Sequence, residues 1–279
     1  MEIMQRLKQM ERGAIRLHIG GAPCDTPGAA RFGGAPDVPE GFRWPYFETA
    51  TFDDDEINPR PLAFLAQFNC ADLAEYDAEG LLPSTGVLAF FYELGSQRWG
   101  FDPADGGCAR VFWFEDAAAL RPAEFPTELC EEYCLPALGI RMEREASLPG
   151  WEDFVVAHPE NTDFDRFDAA RRALGCEWPA NRSVLLGWPD VIQNSMTCEC
   201  ELVGRGHYLG GGWQDIPQAD KEDARTHSIE DWRLLFQLDT VACDGFELMF
   251  GDCGRIYFYI RREDLHTRRF DRVWLILQC

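Results

Sequence analysis

The sequence predicts an α+β chain, mainly β, built from two tandem similar halves within a single compact domain over 1–279. Three observations carry this. Short runs rich in Val, Ile, Leu and Phe are punctuated by Gly, Pro, Asn and Asp, the pattern of strands and turns. Four blocks recur in the same order: "GAPDV" (34–38) with "GWPDV" (187–191), "FLAQFN" with "LLFQLD", "GVLAFFYE" with "GRIYFYIR", and "ARVFWFE" with "DRVWLIL". Apolar residues make up 46% of the chain and aromatics 13%, enough for a packed core. The halves span approximately 15–120 and 184–279, with a helical or irregular insertion over approximately 121–183.

Taken in order, residues 2–11 suit an amphipathic helix with Ile3, Leu7 and Met10 on one stripe, and "AIRLHI" alternates like a strand. Residues 20–61 carry repeated Gly and Pro and read as a long loop, packed down by Phe42, Trp44, Tyr46 and Phe47. "PLAFLAQFN" (61–69), "GVLAFFYEL" (86–94) and "ARVFWFED" (109–116) read as strands, with a short helix at "ADLAEYD". In the insertion, "DFDRFDAARRAL" (163–174) is the clearest helix, capped by Asn161 or Thr162. "SVLLGW" returns to strand, and "SMTCECELVGRG" reads as a helix with Ser195 as cap. "WRLLFQLD" (232–239), "GRIYFYIR" (254–261) and "DRVWLILQC" (271–279) close the chain as strands.

One feature of the repeat is chemical. In a strand side chains alternate faces, so Gln67 and Asn69 share a face with Leu65, and Gln237 and Asp239 share a face with Leu235. The opposite faces are apolar, Leu62, Phe64 and Phe68 in one copy and Trp232, Leu234, Phe236 and Leu238 in the other. Packing those faces together makes one core, with the two polar pairs related by an approximate two-fold.

Charge narrows the partners. Lys and Arg number 26 against 48 Asp and Glu, a net −22. Neither half is basic, with 12 cations against 25 acids up to residue 150 and 14 against 23 beyond it. Nucleic acid would meet a repulsive field, whereas a basic protein would be attracted. The opening "MEIMQRLKQMERG" is charged from Glu2, unlike a signal peptide, and runs such as "VLAFFY" are too short to span a bilayer. Eleven cysteines in mostly apolar contexts read as buried thiols in a reducing cytoplasm.

The ordered set "FGGAPDVPEGFRWP", "PLAFLAQFN", "LPSTGVLAFFYE", "LLGWPDVIQ", "WRLLFQLDT", "GDCGRIYFYIRREDL" and "FDRVWLILQC" resembles the YwqG-like family, a bacterial family of uncharacterised function. The resemblance covers nearly the whole chain and is weakest over 117–183. It implies a β-rich, roll-like fold with peripheral helices, and no established activity, catalytic residue or cofactor.

The residues themselves offer few reactive groups. "GDCGR" (251–255) reads as a hairpin corner, because Cys253 has no neighbouring histidine to lower its pKa. Asp252 and Arg255 remain candidate ligand contacts. Cys130 and Cys134 lack a second matching pair, and Cys198 and Cys200 point about 200° apart on a helix, so no zinc site is expected. "DDDE" (53–56) lacks the glycine and spacing of a calcium loop. No phosphate-binding glycine loop or nucleophile elbow is present, and no cofactor is expected. Gln67 and Gln237 must find partners inside apolar strands, either the G-x-P-D-V loops or a ligand. Trp44 and Trp188, each beside a proline, read as packing, with Trp44 kept as a ligand contact. The expectation is a non-catalytic, cytoplasmic, acidic binding module for a protein partner, a basic one, in the manner of an immunity protein. The alternative is a small-molecule binder or enzyme with its site in the cleft between the halves, using Gln67, Gln237, Asp252 or Arg255.

Overall fold

A computed structural model describes residues 2–161, 163–176 and 182–279. Helix α1 (Glu2–Gln9) leads into strand β1 (Arg12–Ile19). The loop-rich stretch holds four short strands, β2 (Arg31–Phe32), β3 (Asp37–Val38), β4 (Tyr46–Thr49) and β5 (Asn58–Pro61). Next come β6 (Ala63–Asn69), α2 (Cys70–Leu73), β7 (Val87–Tyr92) and β8 (Ala109–Phe114). The middle comprises β9 (Arg121–Pro122), β10 (Leu138–Ser147), α3 (Trp151–Ala157) and α4 (Phe164–Ala173). Then follow β11 (Ser183–Leu186), α5 (Met196–Gly204), α6 (Gln218–Asp231) and β12 (Trp232–Leu238). The chain ends with β13 (Val241–Cys243), β14 (Phe246–Leu248), β15 (Arg255–Arg261), α7 (Arg262–His266) and β16 (Trp274–Gln278).

Ten strands form one antiparallel sheet in the order β16-β15-β12-β11-β1-β10-β2-β6-β7-β8. The fold is thus α+β and mainly β, as expected. The order reads alike from both edges toward the central β1–β10 pair. In one flank Arg31, Gln67, Ala89 and Phe112 stand in line across the strands; in the other, Val184, Gln237, Tyr257 and Ile276 do. This register sets β8 against β16 two residues away from the sequence match of Arg110 with Arg272, since Arg272 lies in a 3-10 turn before β16. The central strands cross over: β1 lies beside β11, and β10 lies beside β2.

Both flanks carry a β-bulge at the same place, at Leu65 in β6 and at Leu235 in β12. A bulge adds one residue to one strand and so swaps the faces beyond it. Phe68 and Phe236 therefore enter the core shared by the flanks, while Leu62, Phe64, Trp232 and Leu234 face away into separate clusters. Strict alternation would place those of each strand on one face. In the shared core, the Phe68 and Phe236 rings lie 5.6 Å apart, Phe90 and Phe236 4.8 Å, and Phe90 and Phe258 5.2 Å. Offset and edge-on ring contacts of this kind add to the burial of apolar area.

Residues 121–183, expected to be helical or irregular, hold α3 and α4 and also strands. They supply β10, which pairs with β1 from Arg12↔Ser147 to Ile19↔Ile140. Its sequence "LGIRMEREAS" is charged and mostly half-exposed, so it lacks the apolar signature of a core strand. Helix α4 is capped by Asp163, whose side chain accepts from the Arg166 N–H, in place of Asn161; Thr162 lies outside the described residues. Ser195 sits at the N-cap of α5 but donates its hydroxyl to Asp153 Oδ1 at 2.6 Å. Helices α1, α3 and α4 pack through Ile3, Leu7, Phe154 and Phe167. Among the described residues no helix is long and apolar enough to cross a membrane.

Candidate functional site

Gln67 is fully buried, and its amide is consumed by the loop before it. Its Oε1 accepts from the Asp37 N–H at 2.9 Å, and its Nε2 donates to Ala29 O at 2.9 Å and Asp37 Oδ2 at 2.6 Å. Arg31 donates to the same carboxylate at 2.7 Å. Burial pushes the Asp37 carboxyl up, but the Arg31, Gly28 and Gln67 bonds outweigh it and hold the pKa below the usual value. Gln237, also fully buried, repeats the set: Oε1 accepts from the Asp190 N–H at 2.8 Å, and Nε2 donates to Arg182 O and Asp190 Oδ2. Arg182 donates to Asp190 Oδ1 at 2.7 Å. The loops match in backbone too, with positive φ at Gly33 and Gly34 and again at Leu186 and Gly187. A Cβ on Gly187 would lie 2.6 Å from that of Ala14, so the loop needs glycine there for space as well as for its φ.

Both amides lie on the sheet face away from the shared phenylalanine core, in register with Ala89 and Tyr257. They anchor loops, and the boundary between the flanks is filled with packed rings. Arg255 is half-buried and bonds Asp239 through Nε, with Asp190 O 3.4 Å from its Nη1. Asp252 is exposed in the β14–β15 turn, where Cys253 has φ 57° and the Gly254 N–H donates to Phe250 O. Trp44 is half-buried, donates Nε1–H to Leu62 O and packs its ring on Phe91. Of the five, Gln237 and Arg255 meet at Asp190, and Gln67, Asp252 and Trp44 do not join them.

A different set of residues converges on a cavity of about 1010 Å³. It lies between α1 and the start of β1, the end of α3, the loop carrying Trp188, and the end of α6 running into β12. Four arginines line it, Arg6, Arg12, Arg225 and Arg233, with His158 and the acids Glu11, Glu79 and Glu230. Its apolar lining is Met10, Val155, Val156, Ala157, Pro159, Ile229 and Trp188.

Arg12 is the centre of the site. Its guanidinium carbon lies 3.4 Å from the Trp188 ring centroid, and its Nη2 donates to Ile229 O at 3.3 Å. Trp188 is itself fixed by Nε1–H to Met10 O at 2.6 Å and by its N–H to Ser147 Oγ at 2.9 Å. No carboxylate pairs with Arg12 among the described residues. Burial, and then the like charge of Arg233, push its pKa down to about 9. Arg233 Nη1 is held by the carbonyls of Ile229, Glu230 and Trp232, with Glu230 Oε2 3.6 Å from its Nη2. Burial lowers its pKa as well. Arg225 is exposed, with no ion pair among the described residues, whereas Arg6 is tied to Glu2 and Glu160. Near Arg12, within reach of its charge, lies Asp153, fully buried, with Oδ2 unpartnered and its pKa pushed up to about 6 by burial. The buried Tyr259 hydroxyl is also unpartnered.

Residues 30–279 match the family described as "Domain of unknown function (DUF1963)". The chain belongs to that family. No curated protein matches it. Within this DUF1963 chain the family match contains Trp188, Arg225 and Arg233, while Arg6 and Arg12 precede it. Sequence reasoning missed the arginines because they come from segments far apart in the chain. The one local signal is Arg225 and Ile229, four residues apart and so on one face of α6. Among the described residues no group of three or more His, Cys, Asp or Glu is arranged to hold a metal ion.

Proposed function

We propose that this chain is a non-catalytic binding protein that holds an anionic ligand in the arginine-lined pocket. The observation that carries this is Arg12, a half-buried guanidinium stacked on Trp188 with no carboxylate in ion-pair contact among the described residues, beside the second half-buried cation Arg233. Drawing two cations together and partly out of water is costly, Asp153 and Glu230 offset only part of that charge, and an anion in the pocket adds countercharge where the local dielectric is low. The lining argues for binding over covalent chemistry. Among the described lining residues the one hydroxyl side chain, Thr226, donates to Glu222 O, and there is no cysteine or serine. Titration calorimetry with pyrophosphate, decanoate and decyl phosphate tests the reading. At least one of these is expected to bind, and Arg225→Glu, at an exposed position, to weaken that binding about tenfold, or about 1.4 kcal/mol. Binding by none of them, or binding indifferent to Arg225→Glu, overturns it.

A second reading rests on the loop between β4 and β5. Phe52 and Ile57 are each 74% exposed and flank Asp53, Asp54, Asp55 and Glu56. We infer that this loop docks a basic protein partner, immunity-like in its charge complementarity. Capture of a basic partner from lysate at low salt is expected to fail in a Phe52→Ser/Ile57→Ser variant. Capture indifferent to salt or to that variant removes the reading. All eleven cysteines are free thiols, which supports a cytoplasmic setting, and the ordered motifs support a place among YwqG-like proteins.

A further inference from the structure

The pocket joins two unlike surfaces. Arg12, Arg225 and Arg233 bring guanidinium groups to it, from the start of β1 and from α6 running into β12. Met10, Val155 and Val156, from the end of α1 and from α3, bring half-buried apolar side chains. Resting on the anion-binding reading above, we propose that the ligand is an amphipathic organic anion. Its carboxylate or phosphate head sits on Arg12, Arg225 and Arg233, and its apolar body lies against Met10, Val155 and Val156.

Size supports this. At about 1010 Å³ the cavity stands at the upper end of pockets that hold small organic ligands, far more space than an inorganic anion fills. An inorganic ion on the arginines leaves Val155 and Val156 facing water, whereas an aliphatic body covers them and gains the hydrophobic term. Chemistry at the head supports it as well. Arg12 is stacked on Trp188 and, among the described residues, hydrogen-bonded through Nη2 alone, so Nε and Nη1 keep donors for an oxyanion. Carboxylate and phosphate heads share this recognition, so the two are separated by measurement.

Decanoate, decyl phosphate and pyrophosphate are titrated calorimetrically into the full chain. Decanoate or decyl phosphate is expected to bind at least tenfold tighter than pyrophosphate, and whichever is tighter identifies the head group. Val156→Ser, a mild change on α3, is expected to weaken the amphiphiles several-fold and leave pyrophosphate binding unchanged. The melting temperature of the variant checks that the fold survives, and Ala157→Ser serves as a second probe of the same wall. Pyrophosphate binding as tightly as the amphiphiles overturns this inference while the anion-binding reading stands. Amphiphile binding that is unchanged in both wall variants overturns it too. Binding by none of the three removes both.

Discussion

Glu199 lies on α5, 4% exposed, with Oε2 unpartnered among the described residues. Burial pushes its carboxyl up to about 8, against a hydrogen bond with Gln278 that pulls it down. The folded chain therefore holds a proton on Glu199 at pH values where the unfolded chain has lost it. That contribution is complete below the ordinary carboxylate value of 4.5 and is lost as pH rises toward 8. Asp153, pushed up to about 6, adds a decline of the same sign between its ordinary 3.8 and 6. The chain is thus expected to lose stability from pH 5 to 8, by at most about 1.4 kcal/mol per pH unit for Glu199. Glu199→Gln, which keeps shape and removes the titration, is expected to flatten the decline and to melt above the wild type at pH 8. Thermal denaturation of both chains at pH 5, 6.5 and 8 decides this. A flat wild-type profile, or a variant that declines as steeply as the wild type between pH 6.5 and 8, where Asp153 no longer contributes, refutes the role given to Glu199.

At the scale of elements, the twin Gln–Asp–Arg sets tie each G-x-P-D-V loop to a strand, and both can be tested alike. Gln237→Leu leaves the Asp190 N–H, Asp190 Oδ2 and Arg182 O without their amide partner. Gln67→Leu does the same to the Asp37 N–H, Asp37 Oδ2 and Ala29 O. Each is expected to cost about 2–4 kcal/mol in urea denaturation, since orphaned buried polar groups cost about 1–3 kcal/mol each and do not simply add. A cost under about 1 kcal/mol for either shows that water replaces the amide, and that the loop is not anchored by it. Both glutamines were legible in the sequence because a polar residue stands out in an apolar strand and recurs beside a second recurring motif. The bulges at Leu65 and Leu235 were not, since a bulge leaves no mark on composition yet reverses the alternation around it. Strand β10 was hidden by its charges, and α6 by having only Ala224, Ser228 and Ile229 buried along its length. The pocket was least legible, because Arg12, Trp188 and Arg233 meet only after three distant segments fold together.

For the whole molecule, the crossing of β1 and β10 has a mechanical consequence. The sheet order is the same from either edge, each flank has its bulge and its anchored loop, and each central strand sits beside the flank that lies further along or further back in the chain. This supports reading the chain as two copies of one unit that exchange their first strands, with β10 as the counterpart of β1. In that reading the insertion over 121–183 shrinks, because β10 opens the second copy. Neither copy can then satisfy itself. A fragment of residues 126–279 keeps β11, β12, β15 and β16 but loses β1, the neighbour of β11. It also uncovers Phe236 and Phe258, whose rings pack on Phe90 of the other flank. An exposed apolar sheet face with an open edge invites pairing with another chain. The fragment is therefore expected to be unfolded or dimeric, with β10 of one copy placed beside β11 of the other. Adding residues 1–125 is expected to restore a 1:1 complex with the melting behaviour of a nicked parent chain. Size-exclusion chromatography with light scattering, alongside circular dichroism, distinguishes these states. A cooperative, folded monomer of 126–279 overturns the exchange, because the second flank would then need neither β1 nor the phenylalanines of the first.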